Sequence, residues 1–230
     1  HQAHSLLLAC LESDAVEDRV AALEVLPEVA VLKSDDLFDW LSVMLDDKDI
    51  NVRKAASRCL TLTSPVFPSG VSSILANELR SPVRFRMDAA WAGLSGLCET
   101  WPEVVVDHVD SLLLEDDMEL RKKATALLKK IVNKGDSAVW DLISWSLNDA
   151  DVEVRRVAAK NLPALARKES RIATLFAERA LSDSDSEVRL SAIKAVQALD
   201  TDHGRARELV VRGTTSKDLK VRSACIELLP

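Results

Sequence analysis

The strongest constraint on this 230-residue chain is a pattern that returns every 33–35 residues. Its clearest form is LSDSDSEVRLSAI, Leu181 to Ile193: a leucine, an acid-rich turn, then an arginine set among apolar residues. Aligned on that arginine, copies fall at Arg19, Arg53, Arg86, Arg121, Arg155, Arg189 and Arg222, separated by 34, 33, 35, 34, 34 and 33 residues. A period of this length marks an array of supersecondary units, none of which buries its apolar faces without a neighbour.

Within a copy the spacing is helical. A leucine eight residues before the arginine (Leu11, Leu45, Leu113, Leu147, Leu181) closes a first helix, and the turn leads into a second. Counting from the arginine, apolar residues recur at −1, +3, +4 and +7, as Val154, Ala158, Ala159 and Leu162 do in the fifth copy. That is one face of a 3.6-residue helix. Proline stands at +8 in three copies (Pro27, Pro163, Pro230) and predicts a bend or an end of the second helix there. The chain has only six glycines, and its valines and isoleucines fall at helical rather than alternating spacing. The expected fold class is all-α.

The frame resembles the HEAT-repeat (armadillo-like) family, whose signature is L-x-D-x-x-x-x-V-R-x-x-A-x-x-x-L. Leu181, Asp183, Val188, Arg189 and Ala192 match it, as do Leu147, Asp149, Val154, Arg155, Ala158 and Leu162. The resemblance spans the chain and implies an α-solenoid of about seven helix–turn–helix repeats. Their approximate bounds are 1–33, 34–67, 68–100, 101–134, 135–168, 169–201 and 202–230, in one domain over 1–230. Two copies depart from the signature. The first has Asp18 in place of the valine, and the third replaces the acidic turn with RSPVR, so a change of curvature is expected near residues 80–100. Neither the first helix, QAHSLLLACL, nor the last copy, with Val221, Ile226 and Leu229, carries the polar finish of a capping repeat. The expectation is part of a longer array, or self-association through exposed ends.

Asp183, Asp185 and Glu187 alternate much as calcium ligands do. A calcium loop, however, needs about six oxygen ligands and a glycine at its sharp turn. Here glycine is absent and the helix begins at once. Alternating acids return at Asp47 and Asp49, Glu115 and Asp117, and Asp149 and Asp151, so they read as repeat architecture and not as a metal site. Aspartate at −4 can cap the second helix, worth ~1 kcal/mol, glutamate at −2 favours the helix dipole, and Ser184 with Glu187 fits a capping box. The arginine lies within the apolar arc and needs a partner; the acid at −6, of the same or an adjacent copy, is the natural one. The family resemblance implies a ladder of such contacts, assigned to Arg53, Arg121, Arg155, Arg189 and Arg222 with Asp47, Asp149 and Asp183.

Little in the chain points to catalysis. The four histidines (His1, His4, His108, His203) form no HExxH pattern, there is no phosphate-binding glycine loop, and GLSG at Gly93–Gly96 sits inside a helical pattern as a close-packing site. No enzyme, metal or cofactor is expected. Four scattered cysteines read as free thiols of a reducing compartment, cytoplasmic or nuclear, and no apolar run approaches the length of a membrane span. Of five tryptophans, Trp91 falls at +5, opposite the apolar arc, and is the candidate exposed aromatic.

Charge is unevenly distributed. Residues 1–115 carry nine basic and nineteen acidic side chains; residues 116–230 carry twenty-one and eighteen. In the family the second helices line the concave surface. Positions +1, +2, +5 and +9 of copies four to six place Lys122, Lys123, Lys130, Arg156, Lys160 and Lys194 on that face. The expected function is a non-catalytic protein-interaction scaffold holding an acidic helix or disordered segment. Phosphate-backbone contact with nucleic acid is the alternative, against which stands a sequence pI of about 5.2.

Overall fold

Alternating apolar faces and capped turns produce a run of helix pairs. The computed structural model describes residues 2–29, 35–134, 136–199 and 204–229, and among these it contains fifteen helices and no strand. In chain order the pairs are α1 (Gln2–Leu11) and α2 (Val16–Val29), α3 (Asp35–Met44) and α4 (Ile50–Thr63), and α5 (Pro68–Glu78) and α6 (Arg84–Thr100). There follow α7 (Pro102–Leu113) and α8 (Met118–Ile131), and α9 (Ser137–Ser146) with the split second helix α10 (Val152–Ala159) and α11 (Leu162–Lys168). The last two pairs are α12 (Ser170–Ala180) with α13 (Ser186–Ala198), and α14 (Gly204–Gly213) with α15 (Leu219–Ile226).

The turns explain the helix starts. Asp49, Asp117, Asp151, Asp185 and Asp218, all at −4, are N-caps whose carboxylates accept backbone N–H groups of the first helical turn. Ser184, expected in a capping box, yields that place to Asp185, which accepts from Glu187 N at 3.0 Å and Val188 N at 3.1 Å. The aspartate at −6 folds the turn itself: Asp47, Asp149 and Asp183 each accept the N–H of the −4 residue at 2.8 Å. In the third copy Pro82 and Val83 replace the caps, and α6 starts without a side-chain cap.

The prolines act differently from one another. Pro163 has no N–H for the carbonyl of Ala159, and its ring crowds that carbonyl; α10 ends at Ala159 and α11 restarts at Leu162. Pro27 lies inside α2, which runs on to Val29, so the expected break does not occur there. Pro230, like His1 and His203, lies outside the described residues.

Two compact units divide the chain, His1–Val105 and Val106–Pro230. In the first, α2, α4 and α6 pack successively; in the second, α8, α10 with α11, α13 and α15 do so. The residues at +3 and +4 form each core seam: Ala22 and Leu23, Ala124 and Thr125, Ala158 and Ala159, and Ala192 and Ile193 are all buried. Gly93 and Gly96 of GLSG hold α6 against the end of α4 and the residues after it. A Cβ at Gly93 would meet Ser64 Oγ at 2.6 Å, and one at Gly96 would meet Pro65 Cγ at 3.0 Å.

Candidate interaction surface

The repeated arginine is a clamp in both units. In six copies its Nη1 donates to two carbonyls of its own turn, at −6 and −5. Arg19 reaches Ser13 and Asp14, Arg53 reaches Asp47 and Lys48, and Arg121 reaches Glu115 and Asp116. Arg155, Arg189 and Arg222 repeat the contact at distances of 2.7–3.1 Å. The rest of the guanidinium faces the following copy. Arg121 donates to Asp149 through Nε (2.8 Å) and Nη2 (3.1 Å), and Arg155 to Asp183 through Nε (2.8 Å) and Nη2 (3.4 Å). Arg19 meets Asp47 at 2.9 Å. Because Ser216 replaces the −6 acid in the last copy, Arg189 reaches the cap residue Asp218 instead, at 2.6 Å. Arg53 keeps its two carbonyls, but Arg80 stands where the next copy's acid would be, and among the described residues no carboxylate reaches it.

These contacts commit the acids of the turns. Burial opposes ionisation of Asp149, but the Arg121 guanidinium and the Asp151 N–H bring its carboxyl below the ordinary carboxylate range. Arg189 does the same for Asp218. The acids that suggested an ion site are N-caps and clamp partners, and among the described residues no group of three or more His, Cys, Asp or Glu side chains is placed to hold a metal.

The second-helix face of the Val106–Pro230 unit differs from its sequence reading at Arg156. That side chain is a cross-brace: Nε and Nη2 grip Asp185 at 3.0 and 2.6 Å, and Nη1 meets Glu153 at 2.6 Å. The Arg156 bond holds the Asp185 carboxyl down to about 2. Sequence reasoning missed this pair, which joins the +1 arginine of the fifth copy to the −4 aspartate of the sixth. Lys122 is tied to Glu119 at 3.0 Å, and Lys123 is half-buried. Lys130, Lys160 and Lys194 stand exposed on α8, just past α10 and on α13.

Trp91 is not the exposed aromatic. It is half-buried, and its indole nitrogen is shielded from solvent. Trp145, on first helix α9, is 58% exposed. All four cysteines are free; burial pushes the Cys59 thiol up to about 11, which makes it inert at neutral pH.

Helix pairs clamped turn to turn define the class in each unit: an all-helical array of helix–turn–helix repeats. Residues 139–230 match the family model described as HEAT repeats. No curated protein sequence shows a significant match to the chain. Among solved structures, a mutant of Kap121p superposes with a TM-score of 0.64 at 14% identity, over 97% of this chain and 28% of that one. An engineered protein gives 0.50 at 21% identity, over 96% and 66%. A computationally designed armadillo repeat protein for modular peptide recognition gives 0.48 at 19%, over 84% and 98%. At these identities the first two likenesses show the fold alone.

Proposed function

We propose that the chain is a non-catalytic protein-interaction scaffold whose second-helix face, in the Val106–Pro230 unit, holds an acidic helix or extended acidic segment. The observation that carries this reading is a division of labour among charges. The turn aspartates Asp149, Asp183, Asp185 and Asp218 are engaged by arginines of the fold, whereas Lys160 and Lys194, both at +5 of successive copies, project into solvent, with Lys130 exposed on the copy before them. Lysines at a period of one repeat match a partner that runs along the row, each acting as a point charge on a flexible stem. Lys122 and Lys123 flank the row, Arg156 braces it from beneath, and Trp91 is not part of it. Free thiols fit a reducing compartment, and we place the protein in the cytoplasm or nucleus on that ground.

The test is fluorescence anisotropy with a labelled glutamate-rich amphipathic peptide and, separately, a random DNA duplex, each at low and moderate salt. The scaffold reading expects peptide binding that falls at least tenfold in a Lys130→Glu/Lys160→Glu/Lys194→Glu variant of unchanged melting temperature. Equal peptide binding by both proteins removes the face from consideration. Steeply salt-dependent duplex binding, lost in the same variant, replaces the acidic segment with a phosphate backbone.

A further inference from the structure

Position +4 of the second helix is buried in the first six copies, and in two of them it carries a hydroxyl. The two hydroxyls are treated differently. Thr125 Oγ1 lies 2.8 Å from the Arg121 carbonyl and 3.1 Å from Ser146 Oγ. Ser57 is only 6% exposed, its Oγ is shielded from solvent, and among the described residues no group bonds it. A buried polar atom left so is costly, and alanine fills the same position in the third and fifth copies (Ala90, Ala159).

Ser57 lines a cleft of about 280 Å³ between α4 and α6. The seam between second helices is open here. Ala89, at +3, is half-exposed, whereas +3 is buried in the other six copies (Ala22, Ala56, Ala124, Ala158, Ala192, Cys225). From α6 the half-buried Phe85 joins Ala89 in the lining; from α4 come the exposed Lys54 and Arg58, one turn apart, and Thr61. Thr61 Oγ1 donates to the Ala89 carbonyl at 3.1 Å and the Ser57 carbonyl at 3.2 Å, so its proton is committed. The cations are not. Lys122 and Arg156, at the same +1 position as Lys54, are tied to Glu119 and to Asp185 and Glu153. Among the described residues no carboxylate pairs with Lys54 or Arg58. Asp88, next to Ala89 in sequence, is exposed and paired with Arg84 at 3.6 Å.

We propose that this cleft binds a phosphorylated serine or threonine side chain of a partner protein. A phosphate monoester brings nearly two negative charges and three acceptor oxygens. Two unpaired cations and one unused buried hydroxyl match that count, with the Arg58 fork and the Lys54 ammonium at the rim and Ser57 beneath them. The Phe85 ring offers apolar surface to the carbons that carry the phosphate. A carboxylate has one charge for two cations. A nucleic-acid backbone also fits less well, because each diester has one charge and two free oxygens. Residues 1–115, with nine basic and nineteen acidic side chains, admit one dianion between local cations but repel a long polyanion. The cleft belongs to the His1–Val105 unit and does not rest on the lysines of the other.

Amide NMR titration of the 230-residue chain tests this with a capped glycine–alanine peptide carrying one phosphothreonine. The same peptide with threonine or glutamate in its place, inorganic phosphate and a short single-stranded oligonucleotide are the comparisons. The phosphopeptide is expected to shift the Lys54, Ser57, Arg58 and Phe85 amides saturably, with about tenfold weaker binding of the glutamate peptide and none of the threonine peptide. Ser57→Ala is expected to weaken phosphopeptide binding about tenfold. Its melting temperature should hold or rise, because an unbonded hydroxyl is replaced by the alanine of two sibling copies. Lys54→Gln with Arg58→Gln should abolish binding in a protein that melts normally. The proposal is overturned by an absence of saturable shifts, or by a glutamate peptide that binds as well. Inorganic phosphate or the oligonucleotide binding more tightly than the phosphopeptide replaces the occupant and overturns it too. So does a Ser57→Ala protein that melts lower and binds as before, which would make the hydroxyl structural.

Discussion

The turn of the third copy and the turns of copies four to six perform one task with different chemistry. In the later copies aspartates at −6 and −4 fold the turn and cap the helix, and the arginine looks forward to the next copy's acid. The third copy has Arg80 and Pro82 at those positions, and its arginine looks backward. Arg86 grips Glu78 on its own first helix through Nε (2.7 Å) and Nη2 (2.5 Å), and also contacts Asp46 of the preceding copy. The clamp is therefore not a property of the arginine alone. Its direction is set by where carboxylates stand, and the arginine position survives the change because it lies at the edge of the apolar arc, where an unpaired guanidinium is costly.

The sharpest way to break this comparison is Arg86→Ala. Glu78 has a side chain only 8% exposed, so the variant leaves a carboxylate in the core without its cation. Truncating one partner of such a pair costs about 3 kcal/mol, although the exposed Asp46 arm contributes little of it. Urea denaturation with Glu78→Gln as a companion checks the cause: the double variant should recover part of the loss. Next is Gly93→Leu, which gives the third copy the +7 leucine of its siblings. The Cβ alone would meet Ser64 Oγ at 2.6 Å, so the consensus residue is expected to destabilise by about 2 kcal/mol through overpacking. A stabilised protein would mean that the third copy tolerates ordinary spacing between α4 and α6.

Those two residues also show what was legible in sequence. The period, the helix pairs, the caps and the positions of the clamp arginines follow from spacing, because 3.6-residue periodicity and Asp-initiated helices are local properties. Which carboxylate each arginine takes is not local. Arg189 uses Asp218 because Ser216 has no charge to offer, and Arg86 turns back to Glu78, which stands at −8 where five other copies have leucine. For the interaction surface, spacing yields positions on a helix wheel, and which of them neighbours engage depends on the fold. Arg156 and Lys122 are engaged by neighbours, and Trp91 is half-buried.

Arg155→Ala and Arg53→Ala separate the two halves of the clamp. Both lose the turn carbonyls, but only the first loses a carboxylate of the next copy. Arg155→Ala is expected to cost about 2 kcal/mol and Arg53→Ala about half of that, from the net worth of charge-assisted hydrogen bonds. Equal losses in thermal melts would assign the whole effect to the turn. Acid titration tests the Arg156 cross-brace that accompanies the clamp. Asp185 is held at about 2, against an ordinary value of 3.8, by its bond to Arg156. A folded-state pKa below the unfolded one gives stability that is present above about pH 4 and disappears as pH falls through about 2. Asp185→Asn should flatten that part of the profile, and an unaltered profile would refute the cross-brace.

The smallest effect is the most informative about direction. Arg80→Asp restores to the third copy the acid that Arg53 lacks. The new carboxylate would not fold the turn as Asp149 does, because Pro82 at −4 has no N–H to give. The substitution also removes the bond from Arg80 Nη1 to the Ala76 carbonyl, 2.7 Å, and adds negative charge to the more acidic half of the chain. What remains is one ion pair near the surface, so the net gain is expected to be about 0.5 kcal/mol. A double-mutant cycle with Arg53→Ala isolates it. Coupling of that size means that an arginine already clamped to its own turn awaits only a carboxylate to face forward. Zero coupling means that the third turn places its −6 residue out of Arg53's reach.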